Sequence, residues 1–222
     1  MQMIFWIGEV HICMNDEKNL AWPVYLVLLS LISFQILFGI SGTALLDPDE
    51  PVYAETAKEM IRFGDYLSPR IYNEFWYDKP PIFYWLVAAS LKIFGGFSEL
   101  AARLPAALMA IGSVLMTALS VARLFGARTG FWSGMIMGTS IILMYMGKAS
   151  VTDSTLLFFM TAALFSFIHR QYWLMYLACG LAVMTKGPIG VVFPAGIVFL
   201  YLLATRQLEQ IFRMHVLRGL LL

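Results

Sequence analysis

Charge is what this chain has least of: only 13% of its 222 residues are Asp, Glu, Lys or Arg, against 60% hydrophobic residues. The net charge is +1, and no basic run is interleaved with aromatics, so nothing suits a nucleic-acid partner. Cysteine is nearly absent. Cys13 and Cys179 lie far apart, with neither a CxxC spacing nor histidines beside them, so neither a disulfide framework nor a zinc site is implied. Cys179, inside an apolar run, reads as packing. The polar majority of a soluble domain is missing too. A mean hydropathy of +0.75 lies well outside the soluble range, and the chain reads as an integral membrane protein.

What is present is a series of apolar runs. Residues 1–19 end in MNDEKN, too polar to span, and form a separate N-terminal segment. Trp22 to Leu46 is almost continuously apolar, about 25 residues, enough to cross about 30 Å of hydrocarbon and too long for the core of a cleaved signal peptide. Leu104 to Ala122 is the next clean span, Arg123 and Arg128 mark a short basic turn, and Gly130 to Met146 crosses back. Thr155 to Ile168, Tyr172 to Thr185 and Ile189 to Ala204 are shorter and cross with help from flanking residues or local thinning of the bilayer. Lys186-Gly187-Pro188 keeps the last two from merging into one helix. Six crossings with an inside N-terminus place Arg123, Arg128, Arg170, Arg206, Arg213 and Arg218 in the cytoplasm, as the positive-inside rule asks. The expected fold class is all-α integral membrane. It is a polytopic helical bundle with about six transmembrane helices and a long outer first loop carrying interfacial helices.

That loop holds the polar island of the chain. Asp47, Asp49, Glu50, Glu55, Glu59, Asp65, Glu74 and Asp78 are eight of the fourteen acids, and Pro51, Pro69, Pro80 and Pro81 divide the stretch. Its first part reads as an amphipathic helix, with Val52, Thr56 and Met60 beside Tyr53, Ala57 and Ile61, and Lys58, Glu59 and Arg62 facing elsewhere. Asp49 sits where an N-cap belongs, and Gly64 ends the helix. PPIFYWLVAASLKIF then stops at Gly95-Gly96, and about 13 helical residues cover only about 20 Å. It reads as an interfacial helix, with Phe83, Tyr84 and Trp85 anchored at headgroup level.

In this topology Asp49, Glu50, Lys79, Arg103, Lys148, Asp153 and Lys186 all fall at the outer face. Ionisable groups at a membrane edge are costly to keep, and such a gathering reads as a site. Arg103 begins a helix at its positive end, so a nearby anion should compensate it, and Glu99 one turn earlier is the plain partner.

DPDEPVYAETAKEM, YDKPPIFYWL, ELAARLPAAL, the VTD before LLFF, and MTKGP, in that order and spacing, resemble the N-terminal half of the GT-C-type glycosyltransferases. That family includes aminoarabinose transferase of lipid A and the protein O-mannosyltransferases, and the resemblance covers residues 20 to 205. It implies an outer acidic pair at Asp49 and Glu50, a second-loop aspartate at Asp153, and a lysine before the proline pair at Lys79. Lys186 matches the TKG motif. Some aminoarabinose transferases carry Glu before the lysine that matches Lys79; this chain has Asp78, and a metal contact there does not carry over. The domain reading that follows is residues 20–205 as the transmembrane part, with the catalytic loop at 47–99, and 206–222 as a cytoplasmic tail. The family's remaining helices and C-terminal domain are missing, which reads as a fragment or truncated product.

The implied donor is a sugar on polyprenyl phosphate, whose phosphate departs as an anion and needs positive charge, from Lys79 with Arg103 or Lys186. A hydroxyl acceptor needs a base, Asp49, with Glu50 or Asp153 orienting base or acceptor. A single-phosphate leaving group lowers the need for a divalent ion, so no metal and no cofactor is expected. The implied partners are the lipid-phosphate donor, a lipid or a protein or glycan acceptor, and membrane lipids, in the cell inner membrane. The competing class is a transporter-like lipid- or solute-binding module with a mid-depth site at Lys186-Gly187-Pro188.

Overall fold

A computed structural model describes residues 23–46, 48–214 and 219. The expected N-terminal segment 1–19, Trp22, Asp47 and Arg218 lie outside the described residues. In chain order come α1 (Pro23–Leu37), α2 (Asp49–Phe63), β1 (Arg70–Ile71), β2 (Glu74–Phe75), α3 (Ile82–Ile93) and α4 (Glu99–Phe125). Then follow α5 (Ala127–Gly138), α6 (Ile141–Lys148), α7 (Asp153–Ile168), α8 (Tyr172–Lys186), α9 (Ile189–Ala204) and the short α10 (Gln210–Arg213).

The central element is α4, 27 residues long, about 40 Å. The Ser98 hydroxyl caps it by accepting from the Ala101 amide at 3.2 Å. Ala101, Ala102, Ala106, Ala107, Ala110, Ser113 and Ala118 are buried along it, and such small side chains let α1, α3, α5, α6 and α7 come close. The fit is tightest against α5. A Cβ at Gly130 would strike the Ala118 carbonyl, one at Gly134 would meet Leu28 at 2.7 Å, and one at Gly138 would strike Ile32. This four-residue repeat lays one glycine face on α4 and α1.

Elsewhere the surface is apolar. Leu28, Ile32 and Ile36 of α1 are buried while Leu26, Val27, Leu31 and Phe34 are exposed; α9 likewise exposes Val192, Phe193, Ile197 and Leu200. Helices apolar on every side suit lipid. Among the described residues α4 alone is long and apolar enough to cross a membrane by itself, and α5 with α6 reaches that length only as a pair bent by 64°.

Several expectations are corrected here. The first run is helical only to Leu37, about 22 Å of its length. Gly39 then turns left-handed at φ 72, and the carbonyls of Ile40, Thr43 and Ala44 are used by Arg103 instead of a helix. The run from Gly130 to Met146 is broken at Thr139-Ser140, where the Thr139 hydroxyl donates to the Met135 carbonyl at 2.7 Å. Phe83 and Tyr84 are not headgroup anchors: both are fully buried, packed on Tyr53 of α2. Trp85 alone is at the surface, its indole N–H bonded to the Tyr66 carbonyl at 2.6 Å. Glu59 does not face away either. It is buried, and its carboxylate accepts from the Asn73 amide at 3.0 and 3.2 Å. This bond holds the hairpin β1–β2, in which Arg70 pairs Phe75 across the left-handed turn at Tyr72 and Asn73. The all-α expectation thus gains one small hairpin.

Candidate active site at one end of the bundle

The ionisable residues of the motifs converge on one end of the bundle through four connections. Glu50 and Arg103 join α2 to α4; the Ser150 hydroxyl donates to the Ala102 carbonyl at 2.8 Å. Lys148 donates to the Phe38 carbonyl at 3.0 Å, and Asp153 at the start of α7 pairs with Lys186 at the end of α8. Both members of that last pair sit at the helix ends that favour their charge.

Asp49 opens α2 but does not cap it. Pro48 is the N-cap, in a helical conformation, and no side-chain bond closes the helix start. Proline at the boundary brings a fixed φ and no amide to satisfy, so the carboxylate of Asp49 is left exposed at the positive helix end. Gly64 ends the helix as expected, at φ 67.

One turn on from Asp49 is Tyr53, buried and edge-on to Phe83 with ring centroids 5.2 Å apart. Burial raises its phenol above the usual range, and its hydroxyl end lies beside Thr152 with Lys79, Asp49 and Asp78 within electrostatic reach. Burial also pushes the Tyr84 phenol far upward, so it acts as a neutral hydroxyl. Lys79 pairs with Asp78 at 3.1 Å, an ion pair only partly covered, at 28% and 45% side-chain exposure. The hydrogen bond to Asp78 raises the Lys79 ammonium against a partial desolvation, with Tyr53 and Asp49 adding to the rise. Lys79 is therefore charged at neutral pH.

Glu50 and Arg103 stand apart from this open group. Arg103 does find a compensating anion, and it is Glu50 rather than Glu99. Nε meets Oε1 at 2.8 Å and Nη2 meets Oε2 at 2.7 Å, with side-chain exposures of 4% and 3%. Nη1 donates to the carbonyls of Ile40 and Thr43 at 2.7 and 2.9 Å, and Nη2 to that of Ala44 at 2.9 Å. Glu50 also accepts from the amides of Leu46 at 2.7 Å and Ser150 at 2.6 Å. Burial alone would raise the Glu50 carboxyl, but the bonds from Arg103, Leu46 and Ser150 outweigh it and hold the group below its ordinary value. Every guanidinium N–H has a protein partner, so in this arrangement Arg103 offers no donor to a phosphate. Glu50 likewise has both oxygens filled and none left to orient an acceptor.

Tyr53, Thr152 and Ser150 were not among the expected site residues. Tyr53 follows Asp49 by four residues and so shares its helix face, a signal hidden by its equally good fit to the apolar stripe. Thr152 stands in the VTD motif, where the aspartate drew the attention, and Ser150 just before it carries no pattern in the sequence. Lys186-Gly187-Pro188 lies at the charged end of the bundle, paired with Asp153, and so lacks the mid-depth setting a transporter-like site needs.

Residues 78–222 match the family of dolichyl-phosphate-mannose-protein mannosyltransferases. The chain belongs to that family. Lys79, Arg103, Asp153 and Lys186 fall inside the matched residues of this family member, and Asp49 and Glu50 precede them. The chain is 36% identical over 196 residues to an uncharacterized protein of Aquifex aeolicus, covering 83% of this chain and 39% of that one. It is 31% identical over 216 residues to the undecaprenyl phosphate-alpha-4-amino-4-deoxy-L-arabinose arabinosyl transferase of Pectobacterium carotovorum, covering 88% and 37%. Among solved structures it is similar to ArnT from Cupriavidus metallidurans bound to undecaprenyl phosphate, with a TM-score of 0.83 at 25% identity over 90% of this chain and 39% of that chain. The chain thus spans well under half the length of these relatives.

Proposed function

We propose that this chain is the site-bearing part of a membrane glycosyltransferase. It moves a sugar from a polyprenyl-phosphate donor to a lipid A-like acceptor, or to a protein or glycan, on the outer face of the cell inner membrane. The observation that carries the reading is that Lys79, a charged ammonium in a partly covered pair with Asp78, lies within electrostatic reach of Asp49, an exposed carboxylate free of capping duty, beside the buried Tyr53. The family match and the undecaprenyl phosphate held by the similar ArnT support the donor class.

In the reaction the acceptor oxygen bonds to the anomeric carbon of the sugar. The bond from that carbon to the phosphate oxygen breaks, and its electron pair leaves with the lipid phosphate. Lys79 faces this developing charge and stabilises it. Asp49 takes the proton of an acceptor hydroxyl; a phosphate acceptor needs no deprotonation, and Asp49 then positions it. Asp153, held by Lys186 at 2.6 Å, orients the acceptor from the α7 side, and the Lys186 ammonium, with one N–H on Asp153, turns its remaining donors to the phosphate. This division asks nothing of a metal or a cofactor.

Residues 20–205 form the transmembrane part, with loop 47–99 outside. The six crossings are α1, α4, the bent pair α5 and α6, α7, α8 and α9. The site and its topology are tested together. Transfer of a radiolabelled sugar from a polyprenyl-phosphate donor is expected in the complete protein and lost on Lys79→Met. A cysteine at the exposed Leu67 should react with an impermeant thiol reagent added outside, and one at the exposed Thr129 should not. Labelling at Thr129 alone reverses the orientation.

A further inference from the structure

Glu50 and Arg103 take no step in that reaction, yet their bonds lead to both sides of it. From the guanidinium, three carbonyls at Ile40, Thr43 and Ala44 define the path of the chain that enters α2. From the carboxylate, the Leu46 amide fixes the last part of that path, and the Ser150 amide ties in the segment that enters α7. Ser150 is itself tied to α4 through the Ala102 carbonyl, the residue before Arg103. Asp49 immediately precedes Glu50, and Thr152 and Asp153 follow Ser150 within one turn. The longest helix in the described structure, α4, is thereby the ruler against which the two site segments are set. A buried, fully bonded ion pair of this kind adds little net stability, yet it resists displacement, because moving one partner away leaves a charge stranded.

We propose that the Glu50–Arg103 pair is a positioning clamp, which holds Asp49 at a set distance from Thr152 and Asp153 and governs turnover without contacting the donor. The turnover part of this inference rests on the glycosyltransferase reading; the distance part does not.

The test uses Glu50→Gln and Arg103→Lys in the complete protein, purified in detergent. Glutamine keeps the shape of Glu50 without its charge, and lysine keeps the charge of Arg103 without its planar fork. Two readouts are taken. Spin labels at the exposed positions Lys58 on α2 and Leu157 on α7, with Cys13 and Cys179 replaced by serine, report the distance between the two site segments. A narrow distribution in the unaltered clamp should broaden or shift in both variants. Transfer kinetics should show kcat down by about a hundredfold with the donor KM within about threefold, since a misplacement near 1 Å has that scale.

Leu202→Ala, a cavity in the core between α8 and α9 remote from the clamp, is the control for stability alone: it should lower Tm and keep kcat. An unchanged label distance in both variants overturns the clamp. So does a donor KM raised about tenfold at unchanged kcat, which would put Arg103 on the phosphate, a contact whose loss weakens binding uniformly. If Glu50→Gln does not accumulate as folded protein, Arg103→Lys decides alone. If the unaltered protein transfers no sugar, the transferase reading falls, and the label distances still decide the clamp.

Discussion

Two ion pairs at the same end of the bundle differ in almost every respect. Glu50–Arg103 is 3% and 4% exposed, with every donor and acceptor occupied by the protein, whereas Asp78–Lys79 is 45% and 28% exposed and holds one bond. In water a partly exposed pair gains about 0–1 kcal/mol, so Lys79 can leave Asp78 for an incoming phosphate at little cost. The buried pair has no such freedom, because either partner alone would be a charge without solvent. The proposed site draws on both kinds. One keeps its charge available to a ligand, and the other keeps the surrounding chain in place.

The comparison can be broken from either side. Arg103→Met is expected to have the largest effect, since it strands the Glu50 carboxylate: a loss of about 3–5 kcal/mol in thermal unfolding in detergent. Adding Glu50→Leu should recover part of that loss, and no recovery would mean that the bonds to Ile40, Thr43 and Ala44 carry the stability by themselves.

Asp49→Asn tests the open side. It should cut transfer at least about a hundredfold. Stability should change by no more than the dipole contribution of about 0.3–1 kcal/mol, because Pro48 and not Asp49 bounds the helix. Turnover near that of the unaltered protein would remove the base role. Lys79→Met should lower transfer by about a hundredfold with Tm almost unchanged, and Lys79→Arg should be intermediate, as its wider fork replaces a compact ammonium. Restoration of transfer by a second change at Asp78 would show that Lys79 serves only its neighbour.

The smallest effect is a dependence on pH. The Glu50 carboxyl is held below its ordinary value in the folded protein, so its contribution is complete above the unfolded value near pH 4.3 and fades as pH falls through the lower folded value. Tm should therefore drop on acidification below the ordinary carboxylate range, and Glu50→Gln should flatten that drop. Equal slopes in the two proteins would show that other acids set the acid limit.

The two sides of the comparison also differ in how far they could be read beforehand. Asp49, Lys79, Asp153 and Lys186 stand in short motifs, and their gathering at one end follows from where the apolar runs start and stop. Arg103 at a positive helix end called for an anion, but the choice between Glu99 and Glu50 could not be made locally. Glu50 lies 53 positions away and reaches Arg103 only because the chain after Gly39 leaves the helix. Glu59 is a similar case, since the hairpin turn that needs its carboxylate lies 14 residues further on.

Apolar composition alone determined that this is a helical membrane chain with one charged stretch, because hydrocarbon accepts only segments that satisfy their own backbone. Local pattern placed the starts and ends of α7, α8 and α9 within a few residues, and Gly64 as the stop of α2. Tertiary structure decided which charges are closed and which are open. Burial of Phe83 and Tyr84 under α2 depends on the fold of the loop, and aromatic residues at a helix start look the same whether they face lipid or core. The division between Glu50–Arg103 and Asp78–Lys79 has the same origin: an ion pair is set by how much solvent and how many third partners reach it, and both come from segments distant in the chain.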